Sequence, residues 1–319
     1  IVYKIMAVNL NAYGNCTTDF KGSGIGTCDI TNFGDAKGFV PFVKGTSYAI
    51  TDGIAAFGLT EYTNTVKSLK AFPYVGIYDF GQDTPENERN TSSTGVLSTI
   101  RDGKPQFSFM FNKGGCTHKS LYDKRGDGLW DMGVLFEKGI LMCTNTAGTK
   151  LKPFDAGMFD VDTFKFVQGT DPQMSTAVMQ LLDAVEFNAR HVFLPFSKVG
   201  DLDDVTGAIE TKITVDAIGN TDTTFSASIV SSCNVDNLIL DLEDVNNFVV
   251  LNNTATFSAI TLSAVVYNAS TGKYDFTTNE AMQAADVIRL KLSDGTYDVV
   301  ADTIGNLYKG TSNQVVVSA

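Results

Sequence analysis

Two histidines limit the chemistry open to this chain. His118 and His191 are the only imidazoles among 319 residues, so any Ser-His-Asp or Cys-His relay has to be built on one of them. No G-x-S-x-G elbow presents a nucleophile. Cys116-Thr117-His118 offers two metal ligands, but a structural zinc site takes four, and Cys16, Cys28, Cys143 and Cys233 show no paired spacing. The reading there is a packed thiol beside a surface histidine. His191 stands between a helical pattern and an apolar strand, the place of a structural histidine.

The remaining candidates fail on spacing. DKRGDG (Asp123 to Gly128) has the look of a calcium loop, yet Arg125 occupies the third ligand position and Val134 the twelfth, where an EF-hand needs an oxygen and a glutamate. An ordinary hairpin turn explains its Gly and Asp content, including the Arg-Gly-Asp tripeptide. Gly22, Gly24 and Gly26 do not form G-x-G-x-x-G, and no GK[ST] phosphate loop occurs. Asp203-Asp204 and Glu243-Asp244 are paired carboxylates of the kind glycoside hydrolysis uses, but nearly any acidic protein contains such pairs. No catalytic, cofactor-binding or metal-ligating residue is assigned, and no cofactor is expected.

Composition points the same way. With 43% hydrophobic and 19% charged residues the chain has the means to build a substantial core. No apolar run approaches the roughly 20 residues of a membrane-spanning helix. The opening IVYKIMAVNLNAYG lacks the basic start and long apolar core of a signal peptide; either Met6 is the start or the chain is a processed product. Five widely spread cysteines argue against a disulfide framework and for a reduced compartment during synthesis. The net charge is −12, unevenly spread: residues 216 to 319 hold 12 acidic and 4 basic residues, the rest 24 acidic and 20 basic. So acidic a segment repels nucleic acid and anionic membranes, and reads as a solvated, outward-facing module.

Two regions must position whatever function exists. Residues 1 to 208 read as a β-rich domain with helices near 51–72 and 171–190. Thr51 caps the first helix, and Ile54, Phe57, Tyr62, Val66 and Leu69 stripe it. Thr170 or Asp171 caps the second, with Met174, Ala177, Val178, Leu181, Leu182 and Val185 on one face. Gly81 to Gly95 contains almost nothing apolar and reads as an exposed, mobile loop. QFSFMF (Gln106 to Phe111) alternates as a strand, and LWDMGVLFEKGILMCT reads as two strands joined at Glu137-Lys138-Gly139. HVFLPF (His191 to Phe196) suits burial on both faces, inside the domain or between subunits.

Beyond Gly200 to Ala208 helical periodicity fades. Residues 209 to 319 read as roughly seven strands of an immunoglobulin-like sandwich lacking the Cys and Trp core of antibodies. Within it, Asp286 to Gly310 reads as a meander of short antiparallel strands with turns at Asp294-Gly295 and Asp302 to Asn306. The fold class is therefore mainly β with one or two helices: a β-rich assembly domain followed by an Ig-like sandwich.

That layout, with stretches such as STGVLSTIRDGKPQFSFMF and the late SDGTYDVVADTIGNLYKG, resembles structural proteins of tailed bacteriophages, of the tail-tube, neck or capsid-associated type. The resemblance implies a non-enzymatic virion protein, assembled in the host cytoplasm, whose partners are itself and other virion proteins. It implies no sequence-specific nucleic acid partner. A capsid shell or head-decoration protein, a cell-surface adhesin or carbohydrate-binding module, and a hydrolase are the alternatives.

Overall fold

The structure, a computed structural model, describes residues 8–9, 33–52, 54–95, 97–167, 169, 172–204, 206–234, 236–252 and 258–319. The chain is mainly β. Its contacts divide it into two compact units, residues 1–65 with 70–205, and residues 66–69 with 206–319.

In the first unit one large branched sheet carries most strands. It runs through Val8–Asn9, Ile54–Ala55, Tyr48–Thr51, Lys150–Lys152, Gly139–Thr144, Trp130–Phe136, Phe154–Val161, Ser175–Leu181, Gln106–Phe111 and Asp79–Asp83. Trp130–Phe136 is its hub. It pairs with Gly139–Thr144, with Ala36–Val43 and, through two residue pairs, with Phe154–Val161. Asp131 to Leu135 are all buried, as befits a strand covered on both faces. The turn at Glu137 and Lys138 leads into Gly139, where a Cβ would sit 2.4 Å from the Leu194 carbonyl oxygen. His191–Pro195 lies against Gly139–Thr144, which buries Val192, Phe193 and Leu194. Phe193 stacks on Phe33 at 4.4 Å and belongs to the core cluster, so this strand is interior packing.

Phenylalanine fills this core. Phe107, Phe109 and Phe111 face one way along Gln106–Phe111 and are fully buried, and the Phe39 and Phe109 rings lie 4.4 Å apart. Strand period two puts the three on one face.

The helix expected over 171–190 does not form. Ser175–Leu181 is a strand held between Phe154–Val161 and Gln106–Phe111. Ala177 and Leu181 fit helical and alternating spacing equally, and ladders on both sides decide for the strand. Leu182 and Val185, expected on the buried face, are exposed. Only Ala184–Ala189 is helical, capped by the Asp183 carboxylate accepting from the Val185 N–H. Thr170 and Asp171 lie outside the described residues. The helix near 51–72 shrinks to Leu59–Lys67 with Tyr62 and Val66 buried. Thr51 ends a strand and caps nothing, because Asp52 turns the chain with φ 52°.

The second unit is a sandwich. One sheet runs Leu262–Asn268, Lys273–Thr278, Thr224–Ser231, Ile209–Val215, Leu307–Lys309 and Val300–Ala301; the other runs Ser258–Ile260, Phe248–Asn252, Val287–Leu292 and Val315–Val316. Labelled A to G in chain order, with Ser258–Ile260 as C′ and the two short strands Val300–Ala301 and Leu307–Lys309 between F and G left unlettered, the first four strands follow the order D-E-B-A and the second sheet C′-C-F-G. That is the immunoglobulin arrangement. The sheets share one core, with Ile213, Phe225, Ala227 and Ile229 from the first and Val250, Ile288, Leu290 and Leu292 from the second.

The meander expected at Asp286 to Gly310 forms only in part: Val300–Ala301 and Leu307–Lys309 pair antiparallel across the Asp302 to Asn306 turn. Val287–Leu292 is strand F, but the chain then leaves its sheet, and Leu307–Lys309 joins the other sheet, parallel to Ile209–Val215. The turns form where expected. Asp294 Oδ1 accepts from the Thr296 and Tyr297 N–H groups, and Asp302 Oδ1 from those of Ile304 and Asn306.

Candidate assembly surface

The residues weighed for chemistry have structural occupations. His118, on the helix Gly115–Tyr122, packs against the rings of Tyr122 and Phe164 at 5.9 and 5.1 Å. His191 Nδ1–H donates to the Phe187 carbonyl at 2.8 Å. Glu243 accepts from the Tyr267 N–H, and Asp244 caps the turn Val245–Asn247. Asp203 and Asp204 lie on the short turn Leu202–Asp204. Gly22, Gly24 and Gly26 lie outside the described residues. No group of three or more His, Cys, Asp or Glu side chains suited to a metal occurs among the described residues.

Asp123 to Gly128 is not a hairpin turn. It carries the chain from the end of a helix into the Trp130–Phe136 strand, with the Gly126 and Gly128 N–H groups donating to the carbonyls of Phe159 and Gly157. The Arg125 guanidinium lies 3.9 Å above the Tyr122 ring.

The reading of Cys116 as a packed thiol, and of the chain as lacking disulfides, is overturned. Cys116 and Cys233 are both disulfide-bonded, while the buried Cys143 keeps its thiol, donating to the Pro153 carbonyl. Spacing along a chain says little about which sulfurs meet in a fold, and that is why the pattern misled.

What distinguishes the first unit is a surface feature. Gly81 to Gly95, expected as a loop, is part of a two-stranded arm. Glu88–Thr91 pairs with Leu97–Arg101 in register Thr91 to Leu97, Asn90 to Ser98 and Arg89 to Thr99. Gly95, with φ 80°, closes the tip by donating its N–H to the Ser92 carbonyl. At the base Gly103 donates to Asn87 Oδ1, and its bare Cα admits the Pro85 carbonyl, which lies 1.6 Å from where a Cβ would be. The arm thus continues the paired strands Asp79–Asp83 and Gln106–Phe111, anchored by Phe80 against Phe107 and Phe109.

Every described residue from 82 to 102 is exposed. Leu97 and Ile100 show 65% and 61% of their surface. An isolated two-stranded hairpin is marginal in water. The Arg101–Glu88 ion pair, itself exposed, contributes at most about 1 kcal/mol. A second exposed apolar group occurs in this unit, where Phe166 is 76% exposed beside Phe164, ring to ring at 5.3 Å.

Sequence reasoning marked the polarity of Gly81 to Gly95 and read β structure beyond it, but missed the strand Glu88–Thr91, since ERNT has no apolar residue to signal one. It also passed over Asp131, a lone carboxylate inside the apolar run WDMGVLF; a charge in a strand buried on both faces was the available signal. No protein-family model matches the sequence, and no curated protein matches it.

Proposed function

We propose that this chain is a non-enzymatic structural protein that self-assembles through its first unit, as a tail or neck component of a phage virion, with the immunoglobulin-like unit facing outward. The fully exposed arm carries this reading. A hairpin with no buried side chain gains little from its own fold, whereas a neighbouring copy can cover its apolar residues and extend its ladder. The acidic charge of the second unit suits a solvated exterior, and the resemblance in layout supports the virion setting. Disulfides persist on virion surfaces, so Cys116 and Cys233 fit a particle assembled in the host cytoplasm and oxidised after release.

The same disulfides favour a second reading, a cell-surface adhesin. Electron microscopy together with light scattering separates the two. Intact protein should form rings or tubes, and a variant lacking residues 86–102 should scatter as a folded monomer. An intact chain that stays monomeric at all concentrations rejects the assembly reading and leaves the adhesin.

A further inference from the structure

The large sheet has a narrow waist. The strands Phe154–Val161, Ser175–Leu181, Gln106–Phe111 and Asp79–Asp83, which end in the arm, join the hub strand through two residue pairs, Asp131 with Asp155 and Met132 with Phe154. One of these two pairs is carboxyl against carboxyl. Asp131 is 1% exposed. Its Oδ2 accepts from the Gly45 N–H at 2.8 Å, while its Oδ1 is buried with no conventional donor, and the strand register sets the Asp155 side chain directly opposite on the same face. Two ionised carboxylates directly opposite on paired strands repel, and only a proton between them turns the contact into a bond.

We propose that Asp131 and Asp155 share one proton, and that this proton is a clasp: while it is held the short ladder at the waist is favoured closed, and when it leaves local opening of that ladder becomes more frequent, within halves that the shared core keeps together. The surroundings say which oxygen keeps the charge. Lys152 Nζ lies 3.3 Å from Asp155 Oδ1 and 2.5 Å from Glu186 Oε1, and Glu186 Oε2 accepts from the Asp155 N–H. Arg190 faces Glu186 at 3.8 Å and Asp183 at 2.9 Å. Asp155 is thus the carboxylate supported by a cation, and Asp131 is the acid. Burial, outweighing the Gly45 hydrogen bond, pushes the Asp131 carboxyl up to about 7, with the Asp155 charge adding to the rise. The nearby Cys143 thiol is driven up by burial and the Glu186 charge, so it stays protonated and adds no charge to the cluster.

The sign follows from linkage. An acid whose folded value is raised binds its proton more tightly when the waist is closed, so closure is favoured fully below the open-state value near 4 and is progressively lost as pH rises to about 7. Across that window opening should increase by up to about tenfold per pH unit and then level off. The clasp stands or falls independently of what the arm binds.

Amide hydrogen exchange on the full chain, corrected for the intrinsic pH dependence of exchange, reads the opening directly. Between pH 5 and 7 the protection of Met132 and Phe154 should fall by more than tenfold. Asp131→Asn supplies an amide donor to Asp155 at every pH and should abolish the slope. Infrared spectroscopy of the unsubstituted protein gives a test that needs no variant to fold: a protonated carboxyl band should be present at pH 6 and absent at pH 9. A flat exchange profile in the native chain, an unchanged slope in Asp131→Asn, or no protonated carboxyl at pH 6 overturns the proposal.

Discussion

The two units handle exposed strand edges in opposite ways. In the immunoglobulin-like unit the outer strand Leu262–Asn268 has its Tyr267 N–H taken by the Glu243 carboxylate at 2.8 Å, and the sandwich faces bury one another. In the first unit the outer strand Asp79–Asp83 runs on into an arm with no buried side chain. One surface is closed against strand addition and the other is left ready for it. The contrast lies in edge chemistry more than in strand content, and on the assembly reading proposed above it is the open edge that a neighbour covers.

The largest effect tests the self-sufficient half. Phe276 is fully buried, stacked on Phe225 at 4.9 Å and edge-on to Phe248 at 5.0 Å. Phe276→Ala should cost about 3–5 kcal/mol, as large-to-small changes in a tight core do. Calorimetry of residues 206–319 alone should show one cooperative transition, and the substitution should lower its midpoint by many degrees. A fragment without a cooperative transition would remove the basis of the comparison.

Asp302 gives a middling effect with a pH signature. Its carboxylate accepts from the Ile304 and Asn306 N–H groups, from Asn306 Nδ2 and from the Tyr308 hydroxyl at 3.1 Å. Partial burial works against the charge, but these bonds outweigh it and hold the carboxyl below its ordinary value. A lowered acid stabilises above its unfolded value and loses that contribution as pH falls through the folded one. Asp302→Ala should therefore cost about 1–3 kcal/mol at neutral pH. By pH 2.5 the gap between variant and parent, measured in urea, should have narrowed.

Some of this was legible in the sequence and some was not, for identifiable reasons. Val287–Leu292 alternates cleanly because one face meets the core, so Ile288, Leu290 and Leu292 could be placed without coordinates. The hairpin at Glu137-Lys138-Gly139 was equally plain, since turn residues interrupt two apolar runs. Ser175–Leu181 was misread because Ala177 and Leu181 fit both spacings and Met174, Val178, Leu182 and Val185 complete a helical stripe, while the ladders on both sides that decide for a strand are long-range pairings. The departure of Leu307–Lys309 to the opposite sheet depends on long-range pairing that no local pattern encodes. The Asp131 and Asp155 waist was hidden for the same reason: the two residues are 24 positions apart, and only strand register sets them opposite each other.

Glu243 offers a smaller perturbation of the closed edge. Glu243→Ala frees the Tyr267 N–H, and loss of one hydrogen bond at an accessible edge should cost about 1 kcal/mol. The more telling outcome is association. Residues 206–319 should be monomeric as they stand and should begin to dimerise once the edge is uncovered, a change that analytical ultracentrifugation resolves. Glu243→Gln retains an acceptor and should stay monomeric. If both variants remain monomeric at high concentration, the carboxylate is not what closes this edge.

The smallest effect on folding carries the most weight for function. Leu97 is 65% exposed and pairs across the arm with Thr91, so Leu97→Asp removes no buried contact within the chain. Surface changes of this kind alter stability by no more than about 0.5 kcal/mol. If the arm is covered by a neighbouring copy, the same carboxylate is buried there without a partner and association is strongly disfavoured. Calorimetry should then find the melting of the monomer unchanged, while light scattering finds the assembly gone. Leu97→Met, which keeps the apolar surface, should assemble as the parent does. A Leu97→Asp chain that still assembles would show that this face of the arm points to solvent even in the assembly. The partner surface would then have to be sought on the face bearing Ile100.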